Sequence, residues 1–401
     1  MRILHVTPHL PPDQAANALL PAHLGAWARD RGDEASFLAH MPRAARGSPG
    51  VDTPPLPGRV TWVAPYRAAG ALDRALKVSA LSAAIRVMRA AGPAMAETDL
   101  VHIHSNGLLA ELCALLASMR RKPYVLTLYG TEIWHYRPKR IPPDLFTRAY
   151  RNAAVVTFYS FGLKDRAVEL GLDRHELTVI YPPVAAEFQW QGDEGRAAAR
   201  ARLGIRSQRL LVNVKRLHPL AGQRFLIDAM PDIVRAAPDS HLVICGTGPL
   251  LGELQSRARD LGVAGHITFA GLVDNAKVAC FDAAADLFVL PSLLEACPTV
   301  AIEALACGTP VVSTDNPGGV ELARRFGTDI SVVPRENAKA LADAITGRLA
   351  EPRRARPATR AVIESELRPQ AVADRYYGAY RRALETAGNA DRMRMGHHGI
   401  D

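Results

Sequence analysis

Two carboxylates, Glu295 and Glu303, stand eight positions apart in the stretch PSLLEACPTVAIEALACGTPVV, residues 291–312. Pro298 suits the first position of a helix, where its missing N–H is no loss, and Gly308 suits the position just past the end. The spacing therefore predicts a short helix with Thr299 in its first turn and Glu303 about a turn and a half along. The amides of a first turn lack partners within the helix and carry about half a positive charge, so an anion would sit there, beside Glu295. Each carboxylate can accept hydrogen bonds from two neighbouring hydroxyls. The set could thus hold a diphosphate between two diols, with Glu303 on a ribose and Glu295 on a second sugar. A plainer reading makes Glu295 a helix cap and Glu303 a solvated residue. Against it, Glu303 lies between Ile302 and Ala304 in an apolar, small-residue segment, where a carboxylate without a partner is rarely tolerated.

Such a set needs elements to position it. Apolar, β-branched runs at residues 3–7, 35–39, 60–64, 100–104, 124–128, 155–158 and 178–181 alternate with helical stretches. The pattern restarts at 210–214, 242–245, 267–269, 287–290, 310–313 and 331–333. Near-continuous apolar strands separated by helices predict parallel sheets covered on both faces. The expected architecture is α/β, with two Rossmann-like doubly wound domains at 1–185 and 186–370 facing each other across a cleft. Residues 185–208 read as a strand-free linker. In open α/β sheets ligands bind beyond the carboxyl ends of the strands, so the cleft is the expected site.

Residues 291–312 also carry the complete pattern P-S-x-x-E-x7-E-A-x-A-x-G-x-P-V-V, in which the chain resembles the retaining glycosyltransferases of family 4, with the GT-B fold. The resemblance implies that the second domain binds a nucleotide diphosphate sugar. It also implies that the first domain supplies the acceptor side, and that a last helix, here 371–387, crosses back to it. Residues 388–401 are expected to be disordered. The segment LVNVKRLHPLAGQRFLIDAM, 211–230, is similar to the family's G-R-L-x-x-x-K-G and places Arg216 at the arginine. Negative charge grows on a leaving diphosphate, and a fixed guanidinium would stabilise it. Arg216 and Glu295 are therefore the candidate catalytic residues. The family's lysine falls on Ala221 and its leading glycine on Lys215, which leaves Lys215 and His218 as candidate substitutes for the second cation.

Gly246 and Gly248 match the family's G-x-G-P turn, and the backbone at Leu272 matches its contact with the base. With Glu303, Pro298 and Thr299 these complete the implied donor contacts. On the acceptor side, Ala15 and Ala16 replace a Gly-Gly pair that would let amides approach a substrate. Tyr129-Gly130 replaces a histidine-glycine pair; a tyrosine there can donate a hydrogen bond but cannot act as a base near neutral pH. No Asp-x-Asp occurs in the sequence, so neither a metal nor another cofactor is expected.

The chain has 401 residues, 48% of them hydrophobic and 6% aromatic, with a formal charge of +9. Residues 1–185 hold 22 Lys and Arg against 15 Asp and Glu, and residues 186–401 hold 27 against 25, so the excess sits in the front half. Nucleic acid is not an expected partner, for no basic tract is interleaved with aromatics. Clusters such as Arg120-Arg121-Lys122 and Arg137, Lys139, Arg140, Arg148 and Arg151 suit a lipid-linked or phosphorylated acceptor, or anionic lipid heads. With no membrane-length apolar run and no leader pattern, the expected location is cytoplasmic, or peripheral at the inner membrane face. Five cysteines without a C-x-x-C pair read as small buried residues.

The stretch 66–91 carries Leu72, Leu76, Leu81, Ile85 and Met88 at helical spacing, with Arg67, Arg74, Arg86 and Arg89 beside them. Packing of this stripe on a sheet is the preferred reading, and an interfacial helix the other. His102 and His104 are read as alternating on a strand, so that at most one faces the cleft. The alternatives to sugar transfer are an epimerase-like reaction or a nucleotide-sugar-binding protein without turnover.

Overall fold

The computed structural model describes residues 1–11, 16–41, 56–66, 78–138, 144–172 and 177–396. They form two compact units, Met1–Tyr181 with Ala373–Asp401, and Pro182–Val372. The first contains a seven-stranded parallel sheet of β1 (Arg2–Thr7), β2 (Glu34–His40), β3 (Arg59–Val63), β4 (Leu100–His104), β5 (Tyr124–Leu128), β6 (Val155–Phe158) and β7 (Leu177–Val179), in the order β3-β2-β1-β4-β5-β6-β7. Its helices are α1 (Ala16–Asp30), α2 (Val78–Ala96), α3 (Leu108–Met119), α4 (Thr131–Trp134), α5 (Leu145–Asn152) and α6 (Phe161–Glu169). β4 and β5 are buried at every position, as strands covered on both faces must be.

The second unit repeats the plan with six parallel strands, β8 (Arg209–Val214), β9 (Ser240–Cys245), β10 (Ile267–Gly271), β11 (Leu287–Leu290), β12 (Val311–Thr314) and β13 (Ile330–Val333), in the order β10-β9-β8-β11-β12-β13. Around them lie α7 (Asp193–Arg202), α8 (Gln223–Ala236), α9 (Leu251–Asp260), α10 (Asn275–Ala284), α11 (Thr299–Ala306), α12 (Pro317–Phe326), α13 (Ala338–Ala350) and α14 (Pro357–Glu366). Every strand run read from the sequence is a strand, with ends displaced by no more than two residues.

Three expectations are corrected. Residues 185–208 are no bare linker, because they include α7. Asp286 accepts from Arg196, from Arg200 at 3.3 Å and from the Leu210 amide at 2.7 Å, which ties α7 to the sheet. The last helix, α15 (Pro369–Gly396), includes residues 388–396 of the stretch expected to be disordered, and 397–401 lie outside the described residues. From Ala373 onward it belongs with the first unit, where Tyr376, Ala379, Tyr380 and Ala383 form one buried face at helical spacing. Third, α2 does not bury the stripe read from the sequence. Ala83, Val87 and Ala91 are buried instead, because small side chains let the helix approach its neighbours closely, while Leu81 is 66% and Ile85 46% exposed. Leu72, Leu76, Arg67 and Arg74 lie outside the described residues. Among the described residues no helix is long and apolar enough to cross a membrane.

Candidate active site

In the second unit the strand order reverses at β8, whose neighbours are β9 and β11, so the loops after these strands leave in different directions and open a crevice. The residues after β8, β9, β10 and β11 are the ones the sequence singled out. The chain leaves β8 still extended, with the Lys215 amide donating to Cys245 O at 3.0 Å and the Leu217 amide to Thr247 O at 3.0 Å. The turn after β9 lies so close that a Cβ on Gly246 would stand 2.1 Å from Lys215 O, and one on Gly248 2.1 Å from Leu217 O. Only glycine fits either position, and Gly246 has φ +140° besides. Gly271, at the end of β10, accepts from the Gly246 amide at 2.7 Å, and Leu272 after it is 80% exposed.

Lys215 Nζ lies 2.6 Å from Glu295 Oε1. Lys215 also lies near enough to Glu303 to favour its charged form. One cation thus pairs with Glu295 and acts electrostatically on Glu303, at the position where the family pattern has glycine. Arg216, the next residue, is exposed, and its guanidinium has no ion pair among the described residues. His218 is exposed too; its Nδ1 accepts from the Leu220 amide at 3.3 Å and caps a single 3-10 turn, so it is a backbone cap in this structure. Ala221, at the family's lysine position, is buried.

Glu295 sits in the loop between β11 and α11, its backbone O accepting from the Gly318 amide at 2.9 Å. Asn316 caps α12 through Gly319 N at 2.9 Å and donates back to Ser292 O at 3.3 Å, which anchors the same loop. Pro298 is the residue before α11 rather than its first, one position earlier than the sequence reading, with Thr299 at the first. No side chain caps α11, but among the described residues the Thr299 amide donates to Cys297 O at 3.0 Å and the Ala301 amide to Pro298 O at 3.1 Å, so of its first-turn amides that of Val300 is left for an anion. Gly308 follows the helix with φ +87°, as the spacing predicted.

Burial raises the Glu303 carboxyl from its ordinary value to about 7, with Lys215 pulling it down and Glu187 pushing it up. Behind it lies a residue the sequence reading missed. Asp282 of α10 is fully buried, neither carboxyl oxygen has a hydrogen-bond partner among the described residues, and burial, then Glu303, holds it well above the usual carboxylate range. Its only sequence signal is a carboxylate amid the apolar small residues of α10.

In the first unit Ala15 lies outside the described residues, and Ala16 begins α1. Tyr129 follows β5, partly buried, and packs edge-on against Tyr159 at 4.7 Å. Glu132 fixes this corner by accepting from the Gly130 amide at 2.8 Å and from Ser105 Oγ at 2.7 Å. Tyr129 Oη lies 2.7 Å from His104 Nδ1. His104 and His102 do not alternate. Two residues apart on β4 they share a face, their rings 3.9 Å apart, and both are buried with His5 of β1. Sequence reading overlooked His5, although the β1 and β4 runs place it opposite His102. Of the basic cluster at 120–122, Arg120 donates to Gly92 O and Lys122 to Thr98 O at 2.6 Å, so both also close the end of α2. Lys139 and Arg140 lie outside the described residues.

Two parallel α/β units, one carrying cations, carboxylates and an uncapped helix terminus at its strand-order reversal, define a glycosyltransferase of the GT-B fold. Residues 22–188 match the family model of Glycosyltransferase Family 4, and residues 196–363 that of Glycosyl transferases group 1. The chain belongs to this family. It is 33% identical, over 60% of its length and 66% of the relative's, to the GDP-mannose-dependent alpha-(1-6)-phosphatidylinositol monomannoside mannosyltransferase of Mycolicibacterium smegmatis. It is also 33% identical to TuaC of Bacillus subtilis, a glycosyltransferase assigned to teichuronic acid biosynthesis, over 73% of this chain and 68% of that one. Among solved structures, Anabaena HepE in complex with UDP superposes with a TM-score of 0.72 at 19% identity, covering 95% of this chain and all of that one. Sucrose-phosphate synthase of Thermosynechococcus elongatus gives 0.70 at 20% identity, covering 96% of this chain and 99% of that one.

Proposed function

We propose that the chain is a retaining transferase that moves a sugar from a nucleotide diphosphate donor to an acceptor hydroxyl in glycolipid, polysaccharide or other glycoconjugate synthesis. The observation that carries this reading is the placing of Lys215, Arg216, Glu295, Glu303 and the uncapped start of α11 around the β8 reversal. Glu303 accepts from the ribose diol, the Val300 amide at the start of α11 and Arg216 meet the diphosphate, and Glu295, oriented by Lys215, accepts from hydroxyls of the transferred sugar. Protein cations serve the leaving group in place of a metal. Lys215 supplies the charge that Ala221 cannot, which weakens the case for a binding protein without turnover. Tyr129 contributes on the acceptor side.

The relatives named for GDP-mannose and the neighbour solved with UDP make GDP and UDP sugars the first donors to test. A thermal-shift screen with UDP, GDP and ADP selects the base, since a ligand at 100 times its Kd adds about 2.7 kcal/mol. Nucleotide release from the matching sugar donors then tests transfer. Stabilisation by none of the three nucleotides would overturn the donor assignment.

For the acceptor we propose a lipid-linked or phosphorylated molecule, reached by reversible attachment to anionic membrane at the cytoplasmic face. Leu81 and Ile85 stand exposed one turn apart on α2, with Arg86 and Arg89 exposed beside them, and this juxtaposition of apolar and basic side chains suits a headgroup boundary.

A further inference from the structure

The three buried histidines of the first unit are used by none of the chemistry above. Their ring nitrogens lie within 4.8 Å of one another, close enough to raise the question of a metal. Five of the six ring nitrogens are instead engaged with neighbours. His102 Nε2 meets Thr127 Oγ1 at 2.6 Å and its Nδ1 meets Tyr380 Oη at 2.8 Å, while His5 Nδ1 meets His104 Nε2 at 3.1 Å. His104 Nδ1 completes the line at Tyr129 Oη, 2.7 Å away, and at the far end His5 Nε2 is buried with no hydrogen-bond partner among the described residues.

A neutral imidazole carries one N–H, and burial without a paired carboxylate keeps all three rings neutral. The line His5, His104, Tyr129 then has two self-consistent directions. If protons point inward, Tyr129 O–H donates to His104, His104 Nε2–H donates to His5, and the orphan is a buried N–H on His5 Nε2. If they point outward, His5 Nδ1–H donates to His104 Nε2, His104 Nδ1–H donates to Tyr129 Oη, and the orphan is a lone pair. In the protein backbone a buried N–H without a partner is rarer than an unfilled acceptor, and we extend that preference to this imidazole. The outward direction also leaves the Tyr129 hydrogen unspent. Burial raises the Tyr129 hydroxyl well above its usual range, so that hydrogen stays on the oxygen at neutral pH.

We propose that His5 and His104 are positioning residues, a directed relay that presents the Tyr129 hydroxyl as a hydrogen-bond donor to an uncharged oxygen of the substrate, a sugar hydroxyl or ring oxygen. Glu132, by tying Gly130 to Ser105, keeps the phenol in reach of the relay. The proposal rests on the transferase reading above and adds to it the direction of the proton and the class of atom contacted.

Ring nitrogen shifts of the wild-type protein labelled with 15N-histidine read the tautomers directly. The expected result is Nδ1–H for both His5 and His104; Nε2–H for both would overturn the relay. In steady-state kinetics Tyr129→Phe should lower kcat/KM roughly tenfold, the scale of one lost neutral hydrogen bond, with nucleotide affinity unchanged. His104→Leu should fall to the same level, and Tyr129→Phe with His104→Leu no further. His104→Asn, whose amide N–H can stand in for Nδ1–H, should keep most of the activity. Additive losses in the double variant, or full activity in a folded His104→Leu, would sink the proposal. If the buried substitutions do not fold, the wild-type tautomers still decide. Wild-type protein that releases nucleotide from no donor would refute the transferase reading, whereas an active wild type matched by Tyr129→Phe refutes the relay alone.

Discussion

Glu303 shows how one side chain can carry opposite preferences in the free and the liganded protein. Its carboxyl ionises near pH 7 because burial penalises the charge more than Lys215 relieves it. The neutral acid is therefore favoured by the fold. Its contribution to stability is fully present below the ordinary carboxylate value, and is lost as pH rises through about 7. A ribose diol reverses the preference, since two donated hydrogen bonds favour the carboxylate. Donor affinity should accordingly rise with pH between about 6 and 8, and titration calorimetry in buffers of different ionisation heat should register proton release. Glu303→Gln should flatten that profile, and Glu303→Ala should weaken donor binding roughly ten- to a hundred-fold, by loss of ~1.5–3 kcal/mol of charge-assisted bonding. Unaltered donor affinity in folded Glu303→Ala would end the ribose assignment. Arg216 has the contrasting signature. The charge it meets grows as the diphosphate departs, so Arg216→Ala should reduce kcat by ~10²–10³ with little change in nucleotide affinity. A loss of less than about threefold would move the role to Lys215.

At the scale of elements, the loops after β8 and β9 act as one piece. The Gly246 position admits no Cβ, and its neighbour is the carbonyl of Lys215, the residue that orients Glu295. Gly246→Ala should therefore cost ~2 kcal/mol or more in stability and also weaken donor binding, because the Lys215 segment must move to make room. Melting temperature and nucleotide affinity measured on the same variant would show both losses; an unperturbed Kd would mean that the loop does not position the site. In the first unit, β1 and β4 bring three neutral histidines into the core. Their contribution is present above the ordinary histidine value and is lost as pH falls towards the folded value, about 3 for His5. Each can steepen the acid slope by up to ~1.4 kcal/mol per pH unit. The first unit should thus unfold first as pH drops below 6, and His5→Phe should make that transition shallower by tryptophan fluorescence and circular dichroism.

At the scale of the whole molecule, the proposed attachment to anionic membrane makes its own prediction. Sedimentation with vesicles containing anionic lipid should retain the protein at low salt and release it at high salt, since attraction worth ~1 kcal/mol per basic residue weakens as the Debye length shortens. Leu81→Asp and Ile85→Asp should abolish retention without altering nucleotide binding, as neither side chain belongs to the site. Binding that persists in the Leu81→Asp, Ile85→Asp protein would place the contact elsewhere, and no binding at low salt would leave a soluble acceptor as the better assignment.

Strand positions, the existence of two α/β units and the carboxylate pair at 295 and 303 were all legible in the sequence, because they rest on short-range properties: apolar runs, helix punctuation and a motif contiguous in the chain. Ala185 to Gln208 misled for the same reason. Charged, strand-free composition looks like a linker until Asp286, distant in sequence, supplies the partner for Arg196 and Arg200. The face of α2 that packs was equally undecidable, since an alanine face and a leucine face have the same period and only the neighbouring surface selects between them. Tertiary structure alone decided that Lys215 pairs with Glu295 and acts on Glu303, that Asp282 is buried near Glu303 with no hydrogen-bond partner among the described residues, and that His5, His104 and Tyr129 form a line. Each joins residues from different strands or helices, and the distance between such residues depends on sheet order and register, which no local pattern records.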